Sequence, residues 1–286
     1  MKAIVTGAGG QLARALLAAA PAGWDVTGLT RADLDIGDEA AVEASVKALA
    51  PDLILNAAAY TAVDRAESEP DLAFSINRDG ARHLALAASR AGARLVHVST
   101  DFVFDGKASR PYRPDDATAP LGVYGGSKLA GEQEVARVTP EALTVRTAWV
   151  YGPTGANFLA TMLRLMASRP EVGVVADQIG TPTSTLTLAD ALWDLARTDA
   201  RGILHLTDAG VASWYDFATA IAEEAVAAGV LERAPRVAPI ATIDYPTPAA
   251  RPAFSVLDKS AAFTLLGRSA PHWRVALRAA LARMRP

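Results

Sequence analysis

Tyr124 and Lys128 stand four residues apart in the run Tyr124-Gly125-Gly126-Ser127-Lys128. Four residues is close to one helical turn, so at the start of a helix both side chains leave the same face. A free phenol with a pKa of about 10 is a poor acid–base catalyst at neutral pH, and an ammonium beside it stabilises the phenolate. The pair is a candidate for proton transfer, although Tyr-x-x-x-Lys also arises by chance on helix surfaces. About two dozen residues upstream, Leu95-Val96-His97-Val98 ends in Ser99-Thr100-Asp101-Phe102, which puts two hydroxyls at the tip of an apolar strand. Turn formation accounts for such hydroxyls as well as chemistry does.

The elements that must hold these groups begin at residue 3. Ala3-Ile4-Val5 is a short strand, and Thr6-Gly7-Ala8-Gly9-Gly10-Gln11-Leu12-Ala13 is a glycine turn opening a helix from Leu12 to Ala20. Strand, glycine turn and helix form the first half of a dinucleotide-binding βαβ unit. Gly7 and Gly10 allow the tight turn, and the backbone at Gln11 and Leu12 then points N–H groups at a pyrophosphate. A tight turn with no ligand is the plainer alternative. The second strand, Asp25 to Leu29, ends in Thr30-Arg31 with no acid at its tip. An acid there holds the ribose hydroxyls of NAD and an arginine suits the 2′-phosphate of NADP, so Arg31 favours NADPH, with NADH as a second donor. Asp35 and Ile36 follow as candidates for the adenine edge.

A helix from Glu39 to Leu49 leads into Asp52-Leu53-Ile54-Leu55-Asn56, an apolar run suited to a strand buried on both faces. Past its end, Ala58-Ala59-Tyr60-Thr61 lets a cofactor lie close to the backbone. Further elements are a helix from Asp71 to Ala91 with Asn77 inside it, the strand Leu95 to Val98 and a long Pro/Asp/Gly-rich loop from Asp105 to Leu121. A helix from Ser127 to Val138 and the strand Leu143 to Thr147 complete the repeats. They spell an α/β protein with a doubly wound parallel sheet, a Rossmann fold. Beyond Gly152 the alternation breaks. Residues 1–150 are expected to bind the dinucleotide, with 184–208 returning to that layer through Gly202 to His205. Residues 151–183 and 209–286 are expected to form a smaller C-terminal substrate-binding lobe, its proline-rich end extended and irregular.

Composition narrows the function classes. A chain of 286 residues with net charge −3 has no electrostatic footprint for nucleic acid. It contains no apolar run long enough to span a membrane, and the first strand starts too early for a signal peptide. With no cysteine and four histidines, thiolate chemistry is excluded and a zinc site is improbable. A cytoplasmic enzyme is expected.

The glycine turn, Ser99-Thr100 and Tyr124/Lys128 together resemble the extended short-chain dehydrogenase/reductases. Finer blocks resemble the dTDP-4-dehydrorhamnose reductase family: Asn56 to Asp64 with Ala66-Glu67, Ser99 to Gly106, Val123-Tyr124-Gly125 with Lys128 to Glu132, and Arg146 to Tyr151. Asn157-Phe158, Asp177-Gln178-x-Gly180-x-Pro182-Thr183 and Arg251-Pro252 carry the likeness over nearly the whole chain. It implies reduction of the 4-keto group of dTDP-6-deoxy-L-lyxo-4-hexulose to dTDP-L-rhamnose, with hydride delivered from the nicotinamide to sugar C4. Tyr124 is then the proton donor. Lys128 lowers its pKa and holds the nicotinamide ribose, and Thr100 hydrogen-bonds the same sugar oxygen. Thr100, Asp101, Trp149 and Arg251 become substrate candidates, Trp149 as an apolar wall and Arg251 toward the pyrophosphate. A core tryptophan and an exposed structural arginine remain open alternatives.

Five positions depart from the family pattern. Members that dimerise around magnesium carry glutamates where this chain has Ala15 and Thr185, so no metal is expected, and a monomer or weak dimer is. Tyr60 replaces a common histidine, and Phe102 a common tyrosine. Thr30, a candidate cofactor contact beside Arg31, is non-acidic and so fits NADPH. The alternatives are a ketoreductase for another dTDP-deoxysugar and a non-catalytic regulatory binding subunit of the same fold. Nucleotide-sugar epimerases fit less well, because they usually show an acid after the second strand.

Overall fold

A computed structural model describes residues 1–284. The first half of the chain contains β1 (Lys2–Thr6), α1 (Gln11–Ala18), β2 (Asp25–Leu29), α2 (Glu39–Leu49), β3 (Leu53–Asn56), α3 (Val63–Ala66) and α4 (Pro70–Phe74). It continues with α5 (Gly80–Ala91), β4 (Arg94–Thr100), α6 (Val123–Val138) and β5 (Leu143–Thr147). The second half contains β6 (Val150–Tyr151), α7 (Phe158–Ser168), β7 (Glu171–Val175), β8 (Ile179–Gly180), β9 (Thr183–Ser184), α8 (Thr185–Ala196) and β10 (Gly202–His205). Last come β11 (Ala212–Ser213), α9 (Trp214–Ala227), β12 (Arg236–Ile240), α10 (Ser260–Leu266) and α11 (Trp273–Ala282).

Six strands form one parallel sheet in the order β10-β5-β4-β3-β1-β2. The chain winds outward from β1 to β2, then crosses back to β3 and proceeds the other way. The gap between the carboxyl ends of β1 and β3 is therefore the switch point where open α/β sheets take ligands. Leu53-Ile54-Leu55 shows why these strands read as continuous apolar runs. Leu53 and Leu55 join the core under α1 and α8, and Ile54 joins the core under α2 and α5. A separate core around Phe217, Leu159, Met162, Trp273 and Leu277 packs α7, α9 and α11 together.

Three expectations from sequence need correction. The helix carrying Tyr124 and Lys128 starts at Val123 and not at Ser127, because Gly125 and Gly126 lie inside its first turn. The long helix after Pro70 is interrupted by a π-turn at Ser75–Asp79, which no sequence period reveals. The C-terminal region is less irregular than its prolines suggest. The prolines cluster before residue 253, and the chain beyond them forms α10 and α11. Even Pro239 sits in a strand, in β12, which pairs with β7 in a two-stranded parallel ribbon.

Candidate active site

A cleft of about 950 Å³ opens over the switch point. Its floor is the glycine turn. Gly7 has φ of +72°, and a Cβ there would lie 2.8 Å from Ala58 Cα, so only glycine lets the ends of β1 and β3 approach this closely. Gly10 caps α1 without a side chain, which leaves the first N–H groups of the helix, at Gln11 and Leu12, free for an anion. Arg31, Asp35 and Ile36 line the cleft, as do Ala58, Ala59, Tyr60 and Thr61. Arg31 reaches Asp35 at 3.7 Å. Thr30 does not line the cleft. Its hydroxyl and N–H both donate to Asp33, which occupies the strand tip as a local turn acceptor. Overhead, Gly155 and Ala156 face the turn, and Asn157 donates to the Gln11 side chain while Gln11 donates to the Val150 carbonyl.

The proton-transfer end is built by two close backbone contacts. A Cβ on Gly125 would lie 2.2 Å from the Phe102 carbonyl oxygen, and one on Gly131 would lie 2.1 Å from that of Asn77. These glycines let α6 rest on the backbone after β4 and on the π-turn. Its first turn thereby reaches the carboxyl end of β4. Thr100, Asp101, Phe102, Tyr124, Lys128 and Trp149 all face the cleft there. Phe102 meets the Tyr124 ring edge-on at 5.5 Å.

Burial pushes the Tyr124 phenol up to about 12; a hydrogen bond with the Thr100 side chain pulls against this, and Asp101 adds to the rise. Lys128 is not among the groups that set this shift. The Lys128 ammonium is buried and donates to the Val98 carbonyl at 2.7 Å. Burial brings it down to about 8, and Glu132 one turn along partly restores it. Asp101, almost wholly buried, is pushed up to about 6, with hydrogen bonds from Ser255 and Thr100 opposing the shift. Its Oδ2 is buried and has no hydrogen-bond partner among the described residues.

Trp149 adopts a φ of +49°, a strained conformation for a large residue. Its indole stacks on Trp214 at 3.5 Å with the planes 3° apart, and Gly180 makes room for it, since a Cβ there would lie 2.4 Å from the ring. Arg251 does not line the cleft. It forms a bidentate pair with Asp64 and donates to Thr247 and the Ala249 carbonyl, tying the C-terminal segment to α3. Among the described residues no three His, Cys, Asp or Glu side chains cluster as metal ligands do, and no helix is long and apolar enough to cross a membrane.

Sequence reading missed the residues that orient α6. Asn77 Oδ1 accepts from the Tyr60 N–H at 2.8 Å, and its Nδ2 donates to the Tyr60 carbonyl and to Ser127 Oγ. Glu67 accepts the Val123 N–H at 2.9 Å and so caps a helix whose own N-cap is glycine. A buried asparagine inside an apolar helix was the only visible signal; the Glu67 cap crosses 56 residues and left none.

Comparison with known proteins decides the family. Residues 1–285 match the family described as RmlD substrate binding domain. A dTDP-4-dehydrorhamnose reductase from Mycobacterium tuberculosis is 48% identical over 98% of this chain and 92% of that protein. The chain belongs to the dTDP-4-dehydrorhamnose reductase family. It is an oxidoreductase of that family. Spore coat polysaccharide biosynthesis protein SpsK of Bacillus subtilis is 44% identical over 97% of this chain and 95% of its own length. The crystal structure of the Bacillus anthracis reductase in complex with NADP superposes with a TM-score of 0.93 at 37% identity, covering 99% of both chains. A Thermus thermophilus UDP-glucose 4-epimerase, at 20% identity and a TM-score of 0.83, shares the fold.

Proposed function

We propose that this enzyme uses NADPH to reduce the 4-keto group of dTDP-6-deoxy-L-lyxo-4-hexulose, forming dTDP-L-rhamnose. The observation that carries the reading is the convergence of Thr100, Tyr124 and Lys128 at one end of a cleft floored by Gly7 and Gly10. Family membership and the NADP-bound Bacillus anthracis relative support the choice of reaction and cofactor.

The cleft residues fit a dinucleotide. Free N–H groups at the start of α1 suit the pyrophosphate, and Arg31 suits the 2′-phosphate. Lys128 keeps two donors beyond its bond to Val98, enough for the nicotinamide ribose hydroxyls. Bound NADPH supplies the hydride for C4. Tyr124, protonated at neutral pH, gives its phenolic proton to the oxygen developing negative charge at C4. An aliphatic alkoxide is a stronger base than a phenolate, so the transfer runs downhill even from a phenol raised by burial. Thr100, on turning its hydroxyl away from Asp101, donates a second hydrogen bond to the same oxygen, and the Lys128 cation stabilises the phenolate left behind. Asp101, which lines the cleft, accepts from a sugar hydroxyl, and Trp149, backed by Trp214, gives the sugar ring a flat apolar wall.

In this reading residues 1–150, with 184–208, hold the cofactor, and residues 151–183 and 209–286 cover the sugar nucleotide. Arg251 reaches the pyrophosphate only by leaving Asp64. Incubating the purified protein with NADPH and the keto sugar, then identifying the product by NMR, tests the proposal. Formation of dTDP-L-rhamnose supports it; NADPH consumption that yields a different deoxysugar overturns the substrate, and no consumption at all overturns the reaction.

A further inference from the structure

Behind the segment between β2 and α2 stands a group of buried polar contacts that the proposed chemistry leaves unused. Leu34, Asp35 and Ile36 line the cleft here. Asp35 to Asp38 make a turn, in which the Asp38 N–H donates to the Asp35 carbonyl at 3.1 Å and the Gly37 N–H donates to Asp35 Oδ1 at 2.9 Å. The start of α5 packs against this turn. A Cβ on Gly80 would lie 2.7 Å from Ile36 Cγ1, so glycine lets the helix touch the Ile36 side chain. Three residues on, and so on the same helix face, the His83 ring is only 6% exposed, with its Nδ1 3.0 Å from the Ile36 carbonyl oxygen. A carbonyl only accepts, so Nδ1 carries the proton and donates it. At the other ring nitrogen, Arg82 Nη2 lies 3.2 Å from Nε2 and donates to Glu39 Oε2 at 3.1 Å, and Glu39 Oε2 stands 3.5 Å from Nε2.

The consequence lies in one peptide plane. The carbonyl of the Ile36–Gly37 peptide accepts from His83, and the N–H of the same peptide donates to the Asp35 carboxylate. No other donor among the described residues bonds to that carbonyl. Ile36 is 4% exposed, so without His83 the oxygen is cut off from water as well as from protein. A rotation of the peptide toward a new partner would carry its N–H away from Asp35 and let that carboxylate turn in the cleft. An aliphatic side chain at 83 would fill the space at a smaller desolvation cost, so packing alone is a poor reason for a histidine. We infer that His83 is a positioning residue for the adenosine half of the dinucleotide, holding the Ile36–Gly37 peptide so that Asp35 and Ile36 keep their places in the cleft. The inference rests on the NADPH reading of this site.

Isothermal titration tests it with two ligands, NADPH and 2′-phospho-ADP-ribose, which carries the adenosine half without the nicotinamide. The proteins are wild type, His83→Leu and His83→Asn. Leucine fills most of the volume and removes the bond, whereas asparagine places its amide nitrogen where histidine has Nδ1. His83→Leu should weaken both ligands about five- to tenfold, the worth of one buried hydrogen bond, and His83→Asn should stay within about twofold of wild type. In steady state the leucine enzyme should show a raised KM for NADPH, with kcat at saturation within about twofold of wild type, because the proton-transfer end lies on other elements. Wild-type affinity in His83→Leu would overturn the inference. So would equal weakening in the leucine and asparagine proteins, or a kcat that falls with the affinity, since either means that the ring only holds the fold. Should leucine fail to fold, His83→Gln takes its place: its longer amide overshoots the Nδ1 position, and the same loss is expected. A wild-type protein that binds neither ligand would sink the NADPH reading; wild-type binding with no loss in the variants would sink this inference alone.

Discussion

Gly125 and Gly126 are adjacent in the first turn of α6, yet alanine is expected to have opposite effects at the two. At Gly125 a Cβ would lie 2.2 Å from the Phe102 carbonyl oxygen, against the 3.0 Å that real Cβ contacts respect. Helix and turn must separate by about 0.8 Å, and the Phe102 carbonyl, being backbone, cannot rotate away as a side-chain end would. That displacement acts between Tyr124, one residue away, and Thr100, two residues before Phe102. Misplacement of reacting groups by about 1 Å costs on the order of 10²-fold in rate, or about 2.7 kcal/mol in the barrier. At Gly126 the nearest atom is Phe74 Cζ at 3.9 Å, an ordinary contact. Alanine there stiffens a half-buried helix position with room for the methyl and adds up to about 1 kcal/mol of stability. Steady-state kinetics and thermal unfolding of Gly125→Ala and Gly126→Ala test the pair. The expected result is a kcat loss of about 10²-fold at 125, with NADPH affinity near wild type because the glycine turn lies on another element, and full activity at 126. A folded Gly125→Ala protein with wild-type kcat would refute the claim that the α6–Phe102 contact sets the proton-transfer geometry.

Three further outcomes follow from the same contacts. Glu224 joins α9 to Arg274 and Arg278 of α11, and its hydrogen bond with Arg278 leads the lowering of its carboxyl to about 2. Because the folded pKa is depressed, this stability is present above the unfolded value of about 4.3 and is lost as pH falls toward 2. Denaturant titration of Glu224→Gln should show a deficit of about 1–2 kcal/mol at neutral pH, allowing for screening of the exposed arginines, and the deficit should shrink across that acid window. Arg31→Ala should weaken NADPH relative to NADH by about five- to tenfold, read as the ratio of KM values, the modest size reflecting a well-exposed arginine. Trp214→Ala removes the ring against which Trp149 stacks, and should raise KM for the sugar nucleotide more than KM for NADPH.

Much of the frame was legible because parallel strands buried on both faces leave uninterrupted apolar runs, as in Leu53-Ile54-Leu55, and because a glycine turn after the first strand has few other uses. Tyr124 and Lys128 were legible as a pair only through helical spacing. Their surroundings were not. Gly125 and Gly126 look like helix breakers, and the reason for glycine at 125 is a carbonyl on a different element. Arg251 shows the limit from the other side: its sequence neighbourhood suggested an anion, whereas Asp64, almost two hundred positions away, holds it outside the cleft. The Trp149–Trp214 stack depends likewise on a φ that no local pattern encodes. Thr30 was read as a cofactor contact from its place at a strand tip, where Asp33, three residues on, takes both its donors.

The central claim is that Tyr124 donates the proton, and the Tyr124→Phe enzyme tests it most directly. Phenylalanine keeps the ring against Phe102 and removes only the hydroxyl. With NADPH and dTDP-6-deoxy-L-lyxo-4-hexulose, the single-turnover rate of nicotinamide oxidation should fall by about 10²–10⁴-fold, while NADPH affinity stays within about twofold of wild type. A Tyr124→Phe protein that turns over as fast as wild type would contradict the account.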